Sequence, residues 1–110
     1  RLVGMARAKQ LVYSGAVLDG PAAVAAGLAL ASHPVGELMP AALELARTFA
    51  AKAPVSMALA KQLIQAAPGR TLEEALAAET EAILHCMTTE DWAEGVAAFA
   101  QRRPPVYRGR

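Results

Sequence analysis

Apolar residues recur along the chain at three- and four-residue spacing, interrupted by glycine and proline, and that rhythm predicts helices. Residues 3–14 form the first. Val3, Ala6, Ala8, Leu11 and Val12 fall toward one side, Arg7 and Lys9 elsewhere, and Gly15 after Ser14 is a natural C-terminal stop. Asp19 stands where an N-cap belongs, with Pro21 in the first turn of a short helix from Gly20 to Ala26 that ends at Gly27. Leu28 to Ser32 is a short apolar run that stops at His33-Pro34. Its length is compatible with a brief strand and with an extended connection.

The helical pattern returns from Glu37 to Lys52, where Leu38, Ala42, Leu45, Ala46 and Phe49 make an apolar stripe. Pro40 is placed in the first turn, where its missing N–H costs little. Val55 to Ala67 follows, with Leu59, Leu63 and Ala66 inward, and Pro68-Gly69 ends it. Thr71-Leu72-Glu73-Glu74 is a capping box that opens a helix to about Met87. Its stripe is Leu72, Ala75, Leu76, Ala82, Ile83 and Cys86. Thr88 or Thr89 caps the last helix, where Glu90 and Asp91 favour the positive end and Trp92, Val96 and Phe99 repeat at four and three. Gly95 weakens that helix and permits close packing. Phe99, Arg102 and Arg103 close it, and Pro104-Pro105 starts an extended tail. The pattern describes one mainly α region over 1–110, about five helices plus a basic tail at 104–110. Such short amphipathic helices need packing partners, from this chain or another.

Composition sharpens the picture. Hydrophobic residues are 55% of the chain but aromatics only 5%, because 27 of the 110 residues are alanine. Small methyl groups suit close-packed helices better than a sheet core. A net charge of +1 argues against an extended nucleic-acid face. The single cysteine excludes an intrachain disulfide and leaves the cytoplasm as the default location. No run of about 18 strongly apolar residues would span a membrane, and no signal peptide is visible at Arg1. A start at arginine rather than methionine suggests a processed chain or a piece of a longer one.

Candidate chemistry is sparse. His33 has no Asp, Glu or Cys in a ligand-like frame, and His85 and Cys86 point in different directions on a helix, so no metal site is expected. Cys86 reads as a small core residue, and Ser14, Ser32 and Ser56 as turn or cap residues. No glycine-rich phosphate loop is present. Glu73/Glu74 and Glu79/Glu81 read as solvated helix faces. One stretch differs. Four arginines and no acid fall in the last ten residues, and Phe99 and Arg102 are three apart, on one helix face. A ring and a guanidinium so placed can hold a nucleotide, ring to base and cation to phosphate. A solvated basic helix end, favourable to the dipole, explains the same residues.

The run Thr89-Glu90-Asp91-Trp92-Ala93-Glu94-Gly95-Val96-Ala97-Ala98-Phe99, followed by Gln101-Arg102-Arg103-Pro104-Pro105-Val106-Tyr107-Arg108-Gly109, resembles the C-terminal pattern of the enoyl-CoA hydratase/isomerase (crotonase) family. Arg1-Leu2-Val3-Gly4 is similar to the end of that family's "QRLxRLVG" stretch. Ser14-Gly15, Asp19 and Ala26-Gly27-Leu28 are similar to its "TGxxxDAxEAxxxGLV" segment, and Lys61 falls where a helix of the family carries a lysine. There are departures. Ala22, Ala23 and Val24 stand where a glutamate is usual, the "GLVNxVVP" segment becomes Gly27 to Pro34, and Arg102 stands where lysine is usual.

The resemblance implies the C-terminal helical trimerisation region of a ββα-spiral α/β fold, with the spiral core outside this chain. That core would supply the oxyanion-hole N–H groups and the catalytic glutamates, upstream of Arg1. No catalytic residue is therefore expected here, and the chain alone is expected to be inactive. The implied activity of the whole is reversible hydration of a 2-enoyl-CoA. An isomerase or another crotonase-type acyl-CoA enzyme is the alternative, and a non-catalytic oligomerisation module a third. The resemblance places Phe99 and Arg102 against the adenine and phosphates of coenzyme A, with Arg103 second to Arg102 and Tyr107 as a packing anchor of the tail. Coenzyme A would enter as part of the substrate, with no separate cofactor or metal. The implied partners are the N-terminal core, an acyl-CoA and further copies in a homotrimer or dimer of trimers, not nucleic acid or a membrane.

Overall fold

The structure is a computed structural model that describes residues 1–110. It is helical without strands: α1 (Gly4–Ser14), α2 (Gly20–Ala25), α3 (Val35–Ala50), α4 (Pro54–Ala66), a 3₁₀ turn at Ala67–Gly69, α5 (Leu72–Met87) and α6 (Glu90–Ala100). These six α-helices fall on the six helical segments that the hydrophobic pattern marks out, one more than the total of about five. The chain forms two compact units, Arg1–Glu44 and Leu45–Arg110, with the division inside α3.

In the first unit, local chemistry sets the helix ends. Gly15 takes a left-handed φ of 61° after α1. Its N–H and that of Ala16 close back on Val12 and Leu11 at 3.4 Å, the paired bonds of a Schellman stop. Asp19 caps α2, its carboxylate accepting from the Ala22 N–H at 2.8 Å. Gly27, at φ 76°, ends α2 by a second Schellman turn, in which the Gly27 and Leu28 N–H groups donate to Val24 and Ala23 at 2.9 Å. The run from Leu28 to Ser32 forms no strand. An isolated extended segment has no ladder to satisfy it.

Helix α3 begins two residues earlier than its hydrophobic pattern suggests, because the Pro34 carbonyl already accepts from Glu37 and Leu38 at 2.9 and 3.1 Å. Pro40 therefore lies inside the helix, not in its first turn. Its ring removes the N–H that would have reached the Gly36 carbonyl, and glycine there offers no side chain to crowd it.

In the second unit, α4 packs on α5 and α5 on α6. Pro54 opens α4 at a position where no N–H is needed. The capping box of α5 forms in both directions. Thr71 Oγ1 accepts from the Glu74 N–H at 3.2 Å, and Glu74 Oε2 accepts from the Thr71 N–H at 2.7 Å. The Thr71 backbone bond, and then its hydroxyl, hold the Glu74 carboxyl below its ordinary value. Of the two threonines, Thr89 caps α6, accepting from the Trp92 N–H at 3.1 Å.

Apolar burial is scarce. Only Ala82 and Ala98 are buried apolar residues, and the only buried charged one is Asp91. The stripes on α5 and α6 stay largely uncovered: Leu72, Leu76 and Ile83 are exposed, and so are Trp92, Val96 and Phe99. Leu59, Leu63, Ala66, Ala75 and Cys86 are half-buried. The faces that the hydrophobic pattern reads as inward are therefore mostly open.

Thr71→Ala removes the one side-chain acceptor for the Glu74 N–H and is expected to cost about 1 kcal/mol. Thr71→Ser should restore it. Urea unfolding midpoints of the three proteins check this, and an unchanged Thr71→Ala midpoint contradicts the cap's role.

Candidate functional site

The candidate residues Phe99 and Arg102 lie where α6 meets the tail, and that junction is built by carboxylates. Asp91, in the first turn of α6, is 3% exposed. Its two oxygens accept from the backbone N–H groups of Arg108 (2.6 Å) and Gly109 (2.8 Å), while the Asp91 N–H donates to the Arg110 carbonyl at 3.1 Å. The tail therefore turns back along α6 instead of running free. The Arg110 guanidinium adds an exposed ion pair to Glu90 at 2.9 Å.

One turn along, Glu94 repeats the device. Arg103 Nη1 donates to Glu94 Oε1 at 2.6 Å and Nη2 to Oε2 at 2.8 Å, and the Val106 N–H donates to Oε1 at 2.8 Å. These bonds, the Arg103 fork first, hold the Glu94 carboxyl down at about 2 from an ordinary 4.5. The same bond raises the Arg103 guanidinium. Gly95 lets Tyr107 approach: a Cβ there would stand 3.3 Å from the phenolic oxygen. The helix weak point and the tail aromatic are thus one packing arrangement.

The basic end is consequently not a free arginine cluster. Arg103 and Arg110 are ion-paired, and the Arg108 backbone is bound. The side chains of Arg102 and Arg108 make no hydrogen bond or ion pair; what sets Arg102 apart is its φ of 53°, the only positive value at a non-glycine residue. Helix α6 stops at Ala100, so the expected shared helix face of Phe99 and Arg102 does not exist. Arg102 instead occupies the left-handed position of a Schellman stop. Its N–H donates to the Phe99 carbonyl at 3.2 Å, and the Arg103 N–H to the Ala98 carbonyl at 3.0 Å. The two candidates remain adjacent through that turn.

Phe99 is 88% exposed. With Trp92 and Val96 it borders a groove of about 500 Å³ whose other walls include Lys52, Ser56 and Tyr107. The groove offers flat apolar faces together with the Lys52 ammonium and the Asp91 carboxylate, and the flat faces can receive an aromatic ring.

The other residues weighed from the sequence do not gather into a site. Cys86 is half-buried, with its sulfur 3.3 Å from the Ser56 hydroxyl. Glu73, Glu79, Glu81 and His85 are exposed. No three His, Cys, Asp or Glu side chains are placed so that they could hold a metal ion. The tail-binding role of Asp91 and Glu94 was not read from the sequence. The available signal was a pair of acids three apart on one helix face, followed by a basic, proline-bearing tail.

Solved structures of similar shape include enoyl-CoA hydratases. The Bacillus anthracis enzyme matches with a TM-score of 0.93 at 34% identity, over 99% of this chain and 42% of that one. A probable enoyl-CoA hydratase/isomerase from Mycobacterium abscessus matches at 0.90 with 40% identity, over 99% and 45%. The helical fold is thus one found within hydratase chains. The enoyl-CoA hydratase/isomerase family model matches residues 1–110, and the chain belongs to that family. Rat mitochondrial methylglutaconyl-CoA hydratase is 40% identical over 113 residues, covering 99% of this chain and 36% of that protein. The Clostridium acetobutylicum short-chain-enoyl-CoA hydratase is 37% identical over 103 residues, covering 94% and 40%. The chain therefore spans well under half the length of these relatives. No helix is long and apolar enough to cross a membrane.

Two outcomes test the junction. Because the Glu94 carboxyl is depressed on folding, its stabilisation is complete above pH 4.5 and is lost as pH falls toward 2. Carbon-13 NMR titration should find the Glu94 midpoint near 2, moving up in Arg103→Met. A midpoint near 4.5 in the unmodified protein would refute the clamp. Arg102→Gly should raise stability by about 1 kcal/mol by relieving the left-handed conformation, read as a higher urea midpoint. A lower midpoint would show that Arg102 is there for the fold.

Proposed function

We propose that this chain is the C-terminal helical part of an acyl-CoA hydratase that reversibly adds water to a 2-enoyl-CoA. In this reading Phe99 stacks on the adenine of coenzyme A and Arg102 meets its phosphates. The remaining exposed apolar faces pack against an N-terminal ββα-spiral core and against other copies in a trimer or dimer of trimers. The core carries the oxyanion donors and the catalytic glutamates, so the chain alone is inactive. An isomerase shifting the double bond would use the same coenzyme contacts, and the carboxylates of the core decide between the two. The cytoplasm remains the expected location, and coenzyme A belongs to the substrate rather than to a resident cofactor.

The observation that carries the reading is an 88%-exposed phenylalanine beside an unpaired, left-handed arginine. They sit in a chain aligned over 99% of its length with a methylglutaconyl-CoA hydratase. Phe99 shares its exposure with Trp92 and Val96, whereas the left-handed backbone is found at no other non-glycine residue and asks for a use of the Arg102 side chain. The scarcity of buried apolar residues supports the packing role. It also favours, as a second reading, a non-catalytic oligomerisation module.

Phe99→Ala in the whole protein separates the two. Loss of one base–aromatic stack, roughly 1–3 kcal/mol, predicts a KM for a short 2-enoyl-CoA raised about tenfold, with kcat and oligomer mass unchanged. Dissociation of the oligomer with unchanged coenzyme affinity would count against the site and for the module.

A further inference from the structure

We propose that Glu94 is a positioning residue for coenzyme binding: it fixes Arg103, and through it the left-handed turn that presents Arg102 to the phosphates of the coenzyme. This rests on the reading of Phe99 and Arg102 as coenzyme contacts.

Three helices of the chain end in the same Schellman pattern. At α1 and α2 the left-handed residue is glycine, Gly15 and Gly27. Nothing lies within 4 Å of where a Cβ would stand at either, so glycine serves the backbone angle and not a tight space. At α6 the same position carries Arg102. A side chain kept where glycine is the easier choice points to a use for that side chain.

No hydrogen bond or ion pair within the chain fixes the Arg102 guanidinium, so the turn itself sets where the side chain leaves the backbone. The turn is fastened on both sides. Before it, the Arg102 N–H is bound to Phe99. After it, the Arg103 N–H is bound to Ala98, and the Arg103 guanidinium grips Glu94 with two nitrogens. Glu94 and Ala98 are four residues apart, on one face of α6, so the backbone and side chain of Arg103 are held to a single rigid surface. The Val106 N–H on Glu94 secures the chain just beyond. With the fork removed, the strained turn would open to other conformations. Coenzyme affinity would then fall in proportion to the population still correctly formed.

The test uses the whole protein and one short 2-enoyl group carried on coenzyme A or on pantetheine, which lacks the adenine nucleotide and its phosphates. Arg102→Ala should raise the KM for the coenzyme A thioester about tenfold and leave that for the pantetheine thioester unchanged. Glu94→Gln should raise the first roughly fivefold, again sparing the second and sparing kcat. The double variant should be no worse than Arg102→Ala alone, because both act through one contact. Arg103→Lys keeps the charge but loses the fork. It should give the same selective rise, and it decides the matter if Glu94→Gln fails to fold. Equal KM increases on both thioesters, or additive effects in the double variant, would overturn the positioning role while leaving the coenzyme contact standing. An unchanged KM in Arg102→Ala would overturn the coenzyme reading itself, and this inference with it.

Discussion

The end of this chain is organised by carboxylates that bind backbone. Asp91 is almost sealed from solvent, yet it is stabilised because two amide N–H groups of the tail point at its oxygens. A buried charge is tolerable only when so satisfied. The bonds also tie residues 17 and 18 positions apart in sequence. Glu94 adds the second anchor one turn away. From these two points follow the return of the tail along α6, the approach of Tyr107 to Gly95, and the left-handed turn that carries Arg102. Charge-assisted hydrogen bonds give this region a defined geometry that its apolar contacts alone would not, since alanines supply its only buried apolar side chains.

The same scarcity explains the character of the whole chain. Its helices are amphipathic, but the stripes on α5 and α6 are left open by the neighbours they have here. Alanine permits close helix approach, yet it removes little area from water per residue. A sequence rich in alanine and poor in aromatics can therefore specify helices and their ends without enclosing a large core. That physical shortfall, more than any single residue, argues for packing surfaces supplied from elsewhere. It accords with a chain that spans only 36% of a hydratase relative.

Much of the local structure was legible in the sequence because helix ends are set by short-range chemistry. The Thr71–Glu74 box, the Asp19 cap and the glycine stops at Gly15 and Gly27 all form as their residue types dictate. The errors arose where a nonlocal or unusual bond decided. The pattern from Glu37 reads Pro40 as a first-turn proline, whereas the bonds to the Pro34 carbonyl start the helix earlier. Arg102 was placed on a helix face because arginine is not a residue expected at positive φ. The tail at 104–110 carries no helix or turn, in keeping with an extended reading, but nothing local reveals that Asp91 and Glu94 reach its amides. Phe99 is legible as a candidate by type and position, whereas nothing in the residue type signals the left-handed turn at Arg102.

The most direct measurement is photolabelling of the whole protein with a coenzyme A derivative bearing an azide on its adenine, followed by peptide mapping. The account predicts label in the segment holding Phe99 and Arg102, suppressed by an excess of unmodified acyl-CoA. Suppressible label confined to other segments, with none at the end of α6, would contradict it.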